Sequence, residues 1–199
     1  MASMSSLGQR AVTATILRGI VEELRARDLY DGVRARVPAK IADSMEKPGV
    51  IMLTWHDGTT TDAILDATAA LRGRETVRAI GLSLMTGRGI GTLLRPLLDV
   101  WIKVSGSGPA SLYARLDVAA TVLMRGTSFA WIARGDCAGT VRISSDQPAP
   151  DSNWALWEGV LEYTFVLTHT QGTVARGRME EGGRACNIDI SWDPRQRSR

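Results

Sequence analysis

Several residue types are scarce in this chain, and each scarcity excludes something. The 199 residues include two cysteines, Cys137 and Cys186, too few for the disulfide framework of a small secreted domain. Two histidines, His56 and His169, are the whole supply of imidazole for metal binding or acid–base chemistry. Of the 24 basic residues only Lys40, Lys47 and Lys103 are lysine. Arginine's dominance fits a GC-rich coding bias as well as a need for bidentate carboxylate or phosphate recognition. No apolar run approaches the roughly 18 to 20 residues that cross a bilayer, so no membrane span is expected. The start, MASMSSLGQRAVTATIL, lacks a basic stretch followed by an unbroken apolar one, so no secretory signal and a cytoplasmic location are expected.

What is present is an ordinary globular composition, 44% hydrophobic and 23% charged, with a net charge of +3. The length suits one domain with a real core. Arginines cluster at Arg34 and Arg36, at Arg72, Arg74 and Arg78, and at Arg195, Arg197 and Arg199, but acidic residues are interspersed. With so small a net charge, sequence-specific nucleic-acid binding is not expected.

Hydrophobic periodicity divides the chain. In residues 11–27, Val12, Ile16, Ile20 and Leu24 recur every fourth position, with Leu17 and Val21 widening the stripe of an amphipathic helix. Short helical pieces follow before Pro38 and across AKIADSMEKPG, and GVIMLTW reads equally as a buried strand or an apolar connection. TTTDAILDATAALRG reads as a helix with a threonine N-cap and Asp62 in its first turn, ending at Gly73. RETVRAIGLSLM, TLLRPLLDVWIKV and PASLYARLDVAATVLMRG read as three more helices. After Gly126 the period shortens to two. TSFAWIAR and GTVRIS form a hairpin around GDCAG, and WALWEGVLEYTFVLTHT is a long apolar helix. GTVARGRME and RACNIDISW form a second hairpin. In the last strand Cys186, Ile188 and Ile190 alternate toward the core and Trp192 closes the edge.

The expected fold is α+β: a helical N-terminal layer (1–126) on a four-stranded antiparallel sheet with a crossing helix (127–192), in β-β-α-β-β order. A single domain over 1–192 with a disordered basic tail, 193–199, is expected.

The aromatic-led helix carrying Trp154, Trp157 and Gly159, followed by Gly182-Gly183-x-x-Cys186-x-x-x-x-x-Trp192, resembles an uncharacterised family abundant in myxobacteria. That family is distantly similar to heme-NO-binding and 4-vinyl-reductase-type sensor domains. The resemblance spans residues 55–192, with Ile188 where the family pattern has an aromatic residue. It implies a small ligand sensor or protein-interaction module without established catalysis. A heme-binding relative needs an axial histidine on a helix facing an apolar pocket. Here His56 lies in a polar Trp-His-Asp-Gly turn and His169 at a helix end, so no heme and no other cofactor is expected.

The remaining chemistry is sparse. Cys137, Cys186, His56 and His169 lack the close pairing of a zinc signature. A core-facing Cys186 is an inert thiol, and no partner base is assignable to Cys137. No G-x-S-x-G elbow occurs, and GRGIG (87–91) follows a helix and lacks a lysine. Glu22–Glu23 and Glu180–Glu181 read as solvated pairs. No catalytic residue and no metal ligand is assigned.

Six tryptophans are many for this length. Trp55, Trp101, Trp154 and Trp157 are the candidate ligand-binding residues of an aromatic-lined pocket between the helical layer and the sheet. Trp154, near a helix start, is expected to keep part of its indole accessible. The expected function is a non-enzymatic binding or signalling module, acting through a protein partner or a small apolar ligand. The alternative is a scaffolding subunit of a cytoplasmic assembly, with a homo-oligomer among its outcomes.

Overall fold

A computed structural model describes residues 9–48, 54–87, 91, 100 and 108–194. In chain order the elements begin with strand β1 (Ala11–Thr13) and helices α1 (Ala14–Ala26), α2 (Tyr30–Arg34) and α3 (Ala39–Glu46). Strand β2 (Trp55–Asp57) leads into helices α4 (Gly58–Arg72) and α5 (Arg74–Thr86). Two short helices, α6 (Pro109–Tyr113) and α7 (Leu116–Ala120), precede strands β3 (Met124–Arg125), β4 (Thr127–Ala133) and β5 (Ala138–Ser145). Helix α8 (Asp151–Thr168) is followed by β6 (Gly172–Val174), β7 (Arg178–Glu180) and β8 (Ala185–Trp192). The expected helix over TLLRPLLDVWIKV and most of GVIMLTW lie outside the described residues. So does most of the tail.

The α+β architecture is as expected, but three strands, β6, β7 and β8, follow the long helix where two were expected, so the main antiparallel sheet has five strands and not four. The main sheet runs β4-β5-β8-β6, every neighbour antiparallel, and β7 pairs with β8 beside β6. Cys186, Ile188 and Ile190 are 0%, 0% and 2% exposed, so the alternation read from the last strand holds. On the side of β8 away from β5, two strands, β6 and β7, stand where one hairpin partner was expected. Between β6 and β7 the Gly177 N–H leaves the ladder and donates to Glu158 Oε1 at 2.6 Å. Trp192 joins Tyr113 and Trp131 in an aromatic cluster, with Tyr113 and Trp131 stacked at 5.2 Å.

Three differences from the sequence expectation have physical causes. First, a small sheet, β2-β1-β3, stands among the N-terminal helices. The first turn expected of the helix over 11–27 is β1, hydrogen-bonded to β2 and β3, and α1 starts at Ala14. Strands of two or three residues carry no period of their own, and Val12 fits the helical stripe as well as the strand. Second, the cap of α4 is Asp57, whose Oδ1 accepts from Thr59 N at 2.9 Å. Asp62 instead turns inward to pair with Arg10. Third, the helix expected over 109–126 is broken between Tyr113 and Leu116. Past the break, Asp117 Oδ1 accepts from Phe129 N at 2.9 Å, tying α7 to β4.

Helix α8 organises the packing. It is apolar on most of its circumference, as a helix covered on several sides must be. Against α5 the approach is unusually close. A Cβ on Gly81 would strike the Leu156 carbonyl, and one on Gly159 would strike the Arg78 carbonyl. Ion pairs between Arg74, Arg78 and the α8 carboxylates staple the same helices. Arg74 reaches Glu158, with Nη1 to Oε2 at 2.7 Å, and Arg78 Nε reaches Glu162 Oε1 at 3.1 Å. The equal sequence offset of these pairs means that α5 and α8 run in the same direction. One continuous apolar cluster takes in α1, α4, α5, α8 and the inner face of the sheet. Among the described residues no helix is long and apolar enough to cross a membrane.

Candidate functional site

The site is assembled from residues far apart in the chain. Ile16 and Ile20 come from the α1 stripe and Leu84 and Met85 from the end of α5, while Leu112 and Leu116 belong to α6 and α7. Helix α8 contributes a whole face, including Leu156, Trp157, Val160 and Tyr163. Together they surround a cavity of about 100 Å³ whose walls are almost entirely apolar. From the main sheet only Phe129 reaches it, so the cavity lies between α8 and the N-terminal helices instead of between those helices and the sheet. Such a space favours an apolar occupant, because its lining offers water few hydrogen-bond partners.

A second, much smaller recess adjoins the first. Its volume is about 10 Å³, and Val12, Met124, Asn153 and Trp157 wall both spaces. Its walls are also mostly apolar, but Arg10, Thr127, Ser145 and Trp154 bring polar groups to it. Arg10 is held by Asp62, whose other carboxylate oxygen accepts from Asn153 Nδ2 at 2.8 Å. Burial pushes the Arg10 guanidinium down from its ordinary value, and the charge of Asp57 opposes this.

The four candidate tryptophans divide. Trp157 lines the cavity and meets Phe129 edge to face at 4.8 Å. Trp154 is 1% exposed, which corrects the expectation of an accessible indole; it faces the small recess with Nε1 unpartnered. Trp55 lies on β2 beneath the Arg125 guanidinium, 4.0 Å from its ring centre, and is not among the cavity's lining residues. Trp101 lies outside the described residues. Residues that sequence reasoning passed over, Arg10 and Asn153 foremost, join the site only through tertiary contact.

Neither histidine lines the cavity. His56 Nε2 donates to the Pro48 carbonyl at 3.1 Å, and His169 is the exposed left-handed residue that ends α8. Among the described residues no three metal-binding side chains cluster. Cys186 is fully buried, and burial, with Glu158 nearby, pushes its thiol up to about 12. The thiol is therefore not a nucleophile at neutral pH. In the arginine clusters Arg34 pairs with Glu46, and Arg74 and Arg78 pair with α8 carboxylates; Arg195, Arg197 and Arg199 lie outside the described residues.

Comparison with known proteins adds the fold's relatives. No protein-family model matches the chain, and no curated protein matches it in sequence. Solved structures do match, and the chain is distantly similar to heme-NO-binding (H-NOX) domains. A mutant of the Fe(II) unliganded H-NOX protein from K. algicida superposes with a TM-score of 0.68 at 10% identity, over 92% of this chain and 98% of that one. A mutant of T. tengcongensis H-NOX gives 0.62 at 12% identity, over 90% and 97%. An oxygen-binding H-NOX domain related to soluble guanylate cyclases gives 0.59 at 11% identity, over 90% and 94%. At these identities the likeness establishes the fold.

Proposed function

We propose that this protein is a non-enzymatic sensor-type module that holds a small apolar ligand in the cavity beside α8 and reports its presence to a protein partner. The observation that carries the reading is the cavity itself: about 100 Å³, nearly all apolar, walled by elements from both halves of the chain. An occupant there touches α1, α5, α7 and α8 together, so it acts on their relative positions. The H-NOX relatives, whose names speak of oxygen complexes and heme, make ligand sensing the nearest precedent for this fold.

Heme itself does not fit. The chain's only two histidines lie away from the cavity, and no cysteine lines it. The lining side chains of a kind that can ligate heme iron are Met85, Met124 and Tyr163, and a cavity of about 100 Å³ leaves no room for a porphyrin beside them. The volume is also small: drug-sized ligands occupy pockets of about 300–1,000 Å³, whereas an engineered apolar cavity of about 150 Å³ takes benzene. The occupant is therefore compact and bound directly by side chains.

Catalysis has no support in the residues around the cavity, where no nucleophile–base pair converges. The scaffold alternative calls for a contiguous exposed apolar patch. Among the described residues the large exposed apolar side chains are Val100, Val118, Val122, Ile132, Val166 and Met179; Val118 and Val122 stand four residues apart at and just past α7, and Ile132, Val166 and Met179 lie on three other elements.

Native mass spectrometry combined with an absorbance spectrum tests the proposal. A monomer that retains a small neutral mass and shows no porphyrin absorbance is the expected result. A protein that carries no small molecule and whose cavity takes up no xenon would overturn it.

A further inference from the structure

Six buried side-chain polar atoms have no hydrogen-bond partner among the described residues, and four of them belong to residues that wall the small recess. They are Arg10 Nε, Trp154 Nε1, Thr127 Oγ1 and Ser145 Oγ. Unpaired polar atoms are rare in folded interiors, so their gathering at one place calls for an occupant. Arg10 is 3% exposed, and Trp154 is as deeply buried.

The chemistry of these groups specifies the occupant. A guanidinium Nε–H and an indole Nε1–H can only donate, whereas the two hydroxyls donate or accept. The recess therefore asks first for an acceptor able to take two donors. Its charge is already balanced, because the other end of Arg10 is paired with Asp62. An anionic head would bury a further, uncompensated negative charge, so a neutral oxygen is favoured. Gly58 makes room for the arginine: a Cβ there would sit 2.8 Å from Arg10 Nε.

The recess and the apolar cavity share Val12, Met124, Asn153 and Trp157 as walls, and Met124 is the most adaptable of these. We infer that the ligand is a compact amphipathic molecule: an apolar body in the larger cavity, and a neutral carbonyl or hydroxyl oxygen received by Arg10 Nε and Trp154 Nε1. This rests on the reading of the larger cavity as the ligand site. Short ketones, aldehydes and alcohols belong to the class; saturated hydrocarbons and carboxylates do not.

Cyclopentane and cyclopentanone, nearly equal in size and differing in one acceptor oxygen, separate the two ideas. Each is titrated into the whole protein while the tryptophan indole N–H signals are followed by NMR. Cyclopentanone, whose carbonyl gives up its water on burial, is expected to bind about as tightly as cyclopentane because the recess restores its hydrogen bonds, and to move the Trp154 N–H signal. Trp154→Phe, which keeps an aromatic ring and loses the donor, should weaken cyclopentanone about tenfold relative to cyclopentane. Cyclopentanone binding more than about thirtyfold more weakly than cyclopentane in the wild-type protein, the penalty of a buried carbonyl left without a donor, would overturn the inference, leave the recess as the site of a single water, and leave the apolar cavity standing. Failure of both molecules to bind would overturn the cavity reading and the inference with it. The wild-type comparison decides the matter even if Trp154→Phe fails to fold.

Discussion

Gly159 of α8 lies against the backbone carbonyl of Arg78 on α5 with no room for a methyl group between them. Gly81 makes the reciprocal approach to Leu156. Two helices that meet backbone to backbone place the Arg74 and Arg78 guanidiniums within reach of Glu158 and Glu162, so the glycines and the ion pairs act as one unit. Close approach and charge pairing reinforce each other.

Gly159→Ala separates local from tertiary effects. Helix propensity alone favours alanine by about 1 kcal/mol. The collision with Arg78 should outweigh this and leave a net loss of about 2 kcal/mol, measured by urea unfolding. A stabilised variant would mean that α5 and α8 part without cost.

Glu158→Ala removes a carboxylate that is fully buried and accepts from both Arg74 and Gly177. It leaves the mostly buried Arg74 guanidinium short of a partner and the Gly177 N–H without its acceptor. A loss of about 3–5 kcal/mol is expected from denaturant titration. A loss below about 1 kcal/mol would place the pair with ordinary surface bridges.

The two cysteines should respond differently to alkylation. Iodoacetamide at pH 8 is expected to modify at most Cys137 in the native protein and both thiols in urea, counted by mass. The Cys186 thiol ionises near 9 in an unfolded chain and is pushed up to about 12 by burial in the folded one. Between those values the unfolded state has lost a proton that the folded state keeps. Stability therefore falls as pH rises through this window, by up to about 1.4 kcal/mol per pH unit, and is unaffected by this group below it. Cys186→Ala should remove that part of the alkaline slope.

Ala120→Leu places three more carbons at the wall of the apolar cavity, where Ala120 is almost fully buried. Binding of xenon or cyclopentane should fall at least tenfold while the melting temperature holds or rises. Undiminished binding would show that these molecules sit elsewhere.

Much of the fold was legible because its elements carry strong periods. The every-fourth stripe of α1, the alternation of β4 and β8 and the continuous apolarity of α8 each dictate one structure. The three-stranded β1–β3 sheet was not legible, since Met124 and Arg125 become a strand only by pairing with β1. Of the candidate site, Trp157 could be read from its place on α8, but Arg10 reaches the recess through contacts across more than fifty residues. One signal was present and passed over. Arg74 and Arg78 stand four apart, as do Glu158 and Glu162, the spacing of one helix face matched to another.

The interruption between β6 and β7 also bears on how copies of the chain meet in solution. An exposed sheet edge ordinarily offers a row of free N–H and C=O groups that a second molecule can extend. Beside β8 that row is cut into two three-residue lengths, and at the cut one amide turns inward to a carboxylate. Strand-by-strand growth of aggregates has no continuous template on this side. The residue that fastens two helices together thus also blunts the edge of the sheet.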